Sequence, residues 1–289
     1  LDNPKKTLPS GWNVALREYK GDAIIKVDAH AVIPEDFVSK NVRVLETGEY
    51  ICGGQRPNII DKPTPFKETL LLAESSMFGS SIASYRNNPG KTYVKSLFHA
   101  AYRREVFEKV GFFNEELVRT EDNEIHYRMR KAGYKLCFDP DIISYQYTRS
   151  SLKAMLKQKY ANGYWIGKTS KVCPKCLSIY HFVPFAFVSA IIASGSVIGA
   201  TGLAECIKKR HNHTLGKGIS ALRKVTVVLT TVMWVLYALM ASGMAAVSAF
   251  KAEDKRNITN ACLPVLFLLL HLSYGIGTIA GLMDKSKRG

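Results

Sequence analysis

Hydrophobic and polar positions recur at helix and strand spacings through the first half of this chain, then give way to unbroken apolar stretches. Residues 10–20 read as a short helix with Ser10 as its N-cap, broken by Gly21-Asp22. Ala23 to Val27 is a short β-branched run of strand type, with Asp28 at its carboxyl end. Pro34-Glu35 opens a helix in which Phe37, Val38, Val42 and Leu45 recur at helical spacing. Gly48 ends it, and Tyr50-Ile51-Cys52 reads as a strand running into Gly53-Gly54. Residues 55–65 carry three prolines and read as an irregular loop, 66–78 as a helix and 85–96 as a second loop. Phe98 to Tyr102 is strand-like, and a short helix follows from Arg104 to Val110. Thr120 suits an N-cap for a helix that buries Ile125, Met129 and Ala132 and stops at Gly133. Lys135 to Phe138 is a strand closed by Asp139-Pro140. These elements describe an α/β domain over residues 1–149.

Residues 150–168 form an amphipathic helix, with Leu152, Met155, Leu156, Tyr160 and Tyr164 on one face and Lys153, Lys157 and Lys168 off it. Such a helix lies in a membrane interface or packs on a core, so 150–175 is expected to be an interfacial helix and linker. Three runs then lack Asp, Glu, Lys and Arg altogether: 176–204, 225–250 and 257–283. Each exceeds the roughly 20 apolar residues that cross a bilayer, so 176–289 is expected to be a membrane domain with two to three spans. If all three cross from a cytoplasmic catalytic domain, the loop 205–224, with six Lys and Arg, falls outside, against the positive-inside tendency. Pro184, Gly195, Gly199 and Gly202 therefore point to a broken or re-entrant first run. That returns 205–224 and the tail to the cytoplasmic side of an inner or plasma membrane.

The formal net charge is +16. No nucleic-acid-binding signature accompanies it, and the basic residues gather beside the apolar runs: Lys168, Lys171 and Lys175, then Lys208, Lys209, Arg210, Lys217, Arg223 and Lys224. That placement suits anionic headgroups. The six cysteines are scattered, and Cys173-Pro-Lys-Cys176 has no second pair to complete a zinc set. No secretory signal pattern opens the chain, and Leu1-Asp2-Asn3-Pro4 reads as the interior of a domain whose preceding strand–helix units are missing.

Two acidic motifs carry the candidate chemistry. Asp28 and His30, two apart at a strand end, point the same way. A carboxylate with an imidazole suits Mn2+ or Mg2+ holding a diphosphate; the same pair also occurs as a turn aspartate beside an exposed histidine. Glu121, Asp122 and Glu124 open a helix, where acidic residues favour the helix dipole and where clustered carboxylates raise one another's pKa towards that of a general base. Arg128, Arg130, Tyr134 and Arg149 are candidates for phosphate contacts or plain surface.

Several stretches in order resemble the inverting family-2 glycosyltransferases, most of all the succinoglycan, exopolysaccharide-biosynthesis type. They are Asp2-Asn3-Pro4, Gly11-Trp12-Asn13, Gly21-Asp22, Val27-Asp28-Ala29-His30-Ala31, Gly53-Gly54, Tyr102 to Phe107, Val110 to Glu115, Thr120 to Glu124, and Arg149 through Trp165. The resemblance covers residues 1 to about 185. It implies a GT-A-like nucleotide-sugar domain lacking its first strands and a UDP- or GDP-sugar donor. It also implies a divalent metal at Asp28 and His30, with Asp122 as base and Glu121 shaping the same site. Asn13 falls in the stretch near the nucleotide. Glu124, Gln158 and Trp165 fall in the donor and acceptor region. Gln158 and Trp165 resemble the Q-x-x-R-W region of processive relatives, with the arginine missing and the spacing altered, which argues against a processive synthase. A lipid-linked glycan is the implied acceptor. The competing reading is a non-catalytic membrane-assembly component or an inactive piece of such an enzyme. A transporter is disfavoured, because the apolar runs hold no acidic residues for an ion path.

Overall fold

The computed structural model describes residues 1–79, 90–210, 216–252 and 257–285. Its centre is a five-stranded mixed sheet in the order β1 (Ala23–Lys26), β6 (Ala100–Arg103), β3 (Ile51–Gln55), β7 (Leu136–Ile143), β5 (Thr92–Val94). β3 and β7 run parallel and the other neighbours antiparallel. A small sheet, β2 (Ala31–Val32), β8 (Tyr145–Tyr147) and β4 (Asn58–Ile59), is formed by the segments that leave β1, β7 and β3. It therefore sits off the carboxyl ends of those strands.

Strand alternation explains why the sheet is covered on both faces. Ile51, Tyr102, Leu136 and Phe138 face one apolar layer, which also holds Val106, Phe107, Ile125 and Met129. Their neighbours Cys52, Ala101 and Cys137 face a second layer with Phe37, Val44, Leu45 and Ile142. Apart from Ile142 of β7, the covering side chains come from helices α2 (Phe37–Glu46), α4 (Arg104–Val110) and α5 (Glu121–Lys131), and Leu16 of α1 (Leu8–Glu18) joins the first layer. α3 (Pro65–Ser75) begins at Thr64, whose hydroxyl accepts from the Lys67 amide, a cap typically worth about 1 kcal/mol. α6 (Leu152–Val172) begins the same way at Ser151.

Several expected boundaries move. Thr7, not Ser10, precedes the first helix, and Ser10 lies inside it with its hydroxyl on the Thr7 carbonyl at 2.9 Å. The last strand does not stop at Asp139-Pro140. β7 runs through to Ile143, with a register shift against β3 that accommodates the proline. Of the expected loop 85–96, residues 85–89 lie outside the described residues, while Thr92 to Val94 form β5. The broken or re-entrant first apolar run is overturned. α7 (Val183–Arg210) is one continuous helix, with Pro184 in its first turn, where a missing amide costs nothing, and Gly195, Gly199 and Gly202 pass through it unbroken.

α8 (Lys217–Lys251) and α9 (Leu263–Met283) complete the chain, and with α7 they make three helices long and apolar enough to cross a membrane. They are not alike. In the most apolar stretch of α9, 39% of residues are buried in protein, against 6% for each of the others. The burial comes from a third core that ignores the boundary at residue 149. Leu70, Leu72 and Ala73 of α3 join Met155 of α6, Ala241 and Ala245 of α8, and Leu263, Leu266, Phe267 and Leu270 of α9.

α6 and α9 run parallel in register. Ser273 donates to the Leu156 carbonyl at 2.7 Å, and further along Lys171 donates to the Asp284 carbonyl at 2.9 Å. Between these points the backbones touch through glycine. A Cβ on Gly163 would strike the Tyr274 carbonyl, one on Gly167 that of Thr278, and one on Gly277 or Gly281 that of Tyr160 or Tyr164.

Candidate active site

β1 ends at Lys26, and the chain turns at once, with the Ala31 amide returning to the Asp28 carbonyl at 2.9 Å. Lys26 points inward beneath the sheet edge, its side chain 5% exposed. There it meets the first turn of α5. Its ammonium donates to an Asp122 carboxylate oxygen and lies 3.5 Å from Glu121 Oε1. The rings of Trp12 and Phe113 wall it in, at 5.6 and 5.8 Å from the ammonium. Burial opposes the charge on Lys26, but Asp122 and Glu121 outweigh it, and the pKa is raised.

Two carboxylates thus share one lysine, and the charge of a third, Asp28, also reaches it. Burial pushes Glu121 up to about 8, with the Asp122 charge adding to it and Lys26 opposing. Asp122 is also raised by burial, with Lys26 holding it back. For Asp28 burial works in the same direction, but the neighbouring His99 and the charge of Lys26 prevail and the pKa falls below the ordinary value. Glu121 Oε2 is buried and has no hydrogen-bond partner. Asp122 is the more open of the pair, with 19% of its side chain exposed against 4% for Glu121.

His99 closes the group from the strand next door. Its Nε2 lies 3.9 Å from Asp28 Oδ2 and is buried without a hydrogen bond, while its Nδ1 is 2.8 Å from the Ser144 hydroxyl. Ser144 leans on the Gln55 carbonyl. With a cation bound between His99 and Asp28, the proton would sit on Nδ1 of His99, donated to Ser144, and Nε2 would turn its lone pair to the cation. A cation between the two would satisfy both, and the excess of carboxylates over lysine favours positive charge at this spot. Among the described residues no group of three or more His, Cys, Asp and Glu side chains gathers to hold a metal ion by itself. A two-donor site still suits Mg2+ or Mn2+, which keep waters and substrate phosphates as their other ligands.

The other sequence candidates fall in different places. His30 follows Asp28 in the turn that leads from β1 to β2. Its Nε2 is 2.7 Å from the Gln146 amide of β8. Asn13 is fully engaged with the loop before α5: its side chain accepts from the Phe113 amide and donates to the Phe113 carbonyl and to Glu115. It fixes Phe113 against Lys26. Glu124 turns away to Arg128, whose guanidinium also donates to the Val110 and Phe112 carbonyls. Cys173 and Cys176 are free thiols, the second donating to the first's carbonyl.

Gln158 and Trp165 are spaced with Asn162 and Thr169 on one face of α6, at i, i+4, i+7 and i+11. That face meets the turn that opens α5. Arg119 donates to Asn162 Oδ1 at 2.8 Å, and the Thr120 and Thr169 hydroxyls hydrogen-bond. Thr120 caps nothing with its side chain; its hydroxyl serves this link to α6 instead. Below the turn, His126 is neutral, its pKa driven down to about 3 by burial and then by Lys26 and Arg130, and it bridges Tyr102 and Ser96.

Lys26, His99, Ser144 and Thr169 were not singled out by sequence reasoning. Only Lys26 leaves a trace there, as a lone charge in an apolar strand two residues before Asp28.

The model of the glycosyl transferase family group 2 matches residues 23–278. The succinoglycan biosynthesis protein ExoA of Rhizobium meliloti is 28% identical over 168 residues, covering 56% of this chain and 50% of that one. A dolichyl N-acetyl-alpha-D-glucosaminyl phosphate 3-beta-D-2,3-diacetamido-2,3-dideoxy-beta-D-glucuronosyltransferase of Methanococcus voltae is 24% identical over 198 residues, covering 66% and 60%. The chain thus spans about half the length of the curated relatives it matches. A crystal structure of GalNAc-T7 with UDP, GalNAc and Mn2+ overlaps 62% of this chain and 40% of its own at a TM-score of 0.38 and 15% identity, too loose to argue from. The family match extends from the first strand of the sheet into the last apolar helix, and this chain belongs to the glycosyl transferase family group 2.

Proposed function

We propose that this chain moves a sugar from a nucleoside-diphosphate donor to an acceptor hydroxyl with inversion, at a membrane, in the assembly of a cell-surface polysaccharide. The observation that carries the reading is the pairing of Glu121 and Asp122 with the buried Lys26, beside Asp28 and His99, in a chain of this family.

The roles follow from position. Asp122 is the general base: it is the accessible carboxylate of the pair, and burial raises its proton affinity towards the working range. As the acceptor oxygen bonds to the anomeric carbon, its proton passes to Asp122, and the bond from that carbon to the diphosphate breaks. Lys26 holds Asp122 in place and balances its charge before transfer. Glu121, with its raised pKa, spares the site a third charge. Asp28 and His99 would hold a Mn2+ or Mg2+ ion, which supplies positive charge to the departing nucleoside diphosphate. His30 is exposed and bonded to Gln146, and is assigned a contact with the diphosphate rather than with the metal.

The nucleotide is UDP or GDP. The acceptor is a lipid-linked glycan, supported by the apolar helices beside the site and by the dolichyl phosphate named for the Methanococcus relative. The α/β domain would face the cytoplasm, with residues 1–149 as the catalytic part and 150–175 joining it to the membrane part.

The test is binding of UDP and GDP to the full chain in nanodiscs, with Mn2+ and with EDTA. Metal-dependent binding of one of them, lost in both Asp28→Asn and His99→Ala, is expected. Equal binding with EDTA, or binding that survives both substitutions, would remove the metal and diphosphate assignment.

A further inference from the structure

We infer that α9 lies in the plane of the membrane interface instead of crossing the bilayer, with its outward apolar stripe dipped into the boundary between headgroups and acyl chains. The inference rests on the membrane attachment proposed above and is independent of the reaction.

The first observation is how α6 is joined to the α/β domain. Met155 shares a core with Leu70 and Ala73 of α3. Lys159 pairs with Glu74 at 3.1 Å, Asn162 accepts from Arg119, and Thr169 bonds Thr120. From Met155 to Thr169 the helix rises about 21 Å, and it is attached to the α/β domain at four levels of that rise. The second observation is the glycine seam. From Ser273 to Asp284 the chain follows α6 in parallel, with the backbones touching through the glycines. The direction of α9 is therefore the direction of the flank of the α/β domain.

A perpendicular α9 would carry that flank to hydrocarbon depth, together with the exposed Lys153, Lys157 and Arg119. Each such charge is costly in the bilayer centre. An α9 lying in the interface keeps all of them in water.

The third observation is the side of α9 turned from the protein. Val265, Leu272, Ile276, Ile279 and Met283 recur at 7, 4, 3 and 4 residues, a single helical face. Three of them are 59%, 49% and 73% exposed: Val265, Ile276 and Met283. No charge interrupts the stripe. It is continuous with the bare apolar surfaces of α7 and α8, which touch α9 through Pro184, Val188, Ala241 and Ala245. The opposite side of α9 is covered by α3, α6, α7 and α8, so only this stripe needs lipid.

Depth measurement decides the matter. Nitroxide labels go on Val265→Cys, Ile276→Cys and Met283→Cys, and on Leu229→Cys of α8 as reference, one at a time in the full chain in lipid nanodiscs. Cys173, Cys206 and Cys262, the cysteines not buried, are replaced by serine. Oxygen and nickel-chelate accessibilities report the depth. The expected result is one common shallow depth for the three α9 labels, with Leu229 deep. A spanning α9 would put Val265 and Met283, about 27 Å apart along the axis, at opposite surfaces with Ile276 deep between them, and would overturn the inference. A water-exposed Leu229 would overturn the membrane attachment itself, and this inference with it.

Discussion

Replacing Lys26 by methionine removes the cation that Glu121 and Asp122 share, while keeping much of the side-chain volume. Breaking a buried pair from one side typically costs about 3–5 kcal/mol, because the partner charges stay buried. Lys26 and Glu121 are both almost wholly enclosed, at 5% and 4% side-chain exposure, so little of that is softened by water. At roughly 2–4 °C per kcal/mol for a chain of this size, the melting temperature should fall on the order of 10 °C at pH 8. The loss should also depend on pH in a definite direction. Glu121 has a folded value of about 8, above its ordinary 4.5. Between these values the native state holds a proton that the unfolded chain has released, so stability falls as pH rises through that window. Without Lys26 to oppose it, the window extends upward in the variant. Acidification supplies a proton to each stranded carboxylate and narrows the gap to wild type. Thermal unfolding of both proteins in the same detergent, by near-ultraviolet circular dichroism at pH 5.5 and pH 8, measures this. A deficit of equal size at both pH values would show that Lys26 contributes packing rather than charge. No deficit at pH 8 would refute the shared-lysine description outright.

Thr169→Val should reduce kcat about fivefold with KM unchanged, because the lost hydrogen bond to Thr120, worth about 1 kcal/mol, loosens the turn that presents Asp122. Thr169→Ser should restore the rate in the same transfer assay. Gly163→Leu should separate α6 from α9, since even a methyl there meets the Tyr274 carbonyl. Limited proteolysis should then cut α9 faster than in wild type, while Gly195→Leu, in open space on α7, should not change the digestion. Asn13→Ala should lower stability by about 1–3 kcal/mol by stranding the buried Phe113 amide and carbonyl groups, and it should leave nucleotide affinity unchanged in the binding assay.

Much of the fold was readable because local signals and burial agree. The helices of the α/β domain follow their apolar spacing, and Thr120, Asp28 and the acidic turn lie where strand and helix ends were expected. The site was harder to read because its partners are distant in sequence. His99 reaches Asp28 across the pairing of β1 with β6, and Thr169 reaches Thr120 from a helix 49 residues on; no local pattern encodes either contact. The turn after Asp28, closed by the Ala31 amide on the Asp28 carbonyl, was likewise not visible to the strand reading. The proline and glycines of α7 suggested a break, yet one proline in a first turn and glycines within a long apolar helix leave its backbone hydrogen bonds intact. The distinction between α9 and the other two apolar helices is invisible in hydropathy, because it comes from glycines of α6 and α9 that meet only in the fold.

The central claim is that Asp122 takes the acceptor proton. The direct measurement is the rate of acceptor-dependent nucleoside diphosphate release by the full chain in native membranes with Mn2+, for wild type and Asp122→Asn, with nucleotide binding checked in parallel. The account expects donor binding within a few-fold of wild type and a rate lower by at least about a hundredfold, the low end of general-base contributions. A variant that binds donor and transfers sugar at the wild-type rate would contradict it.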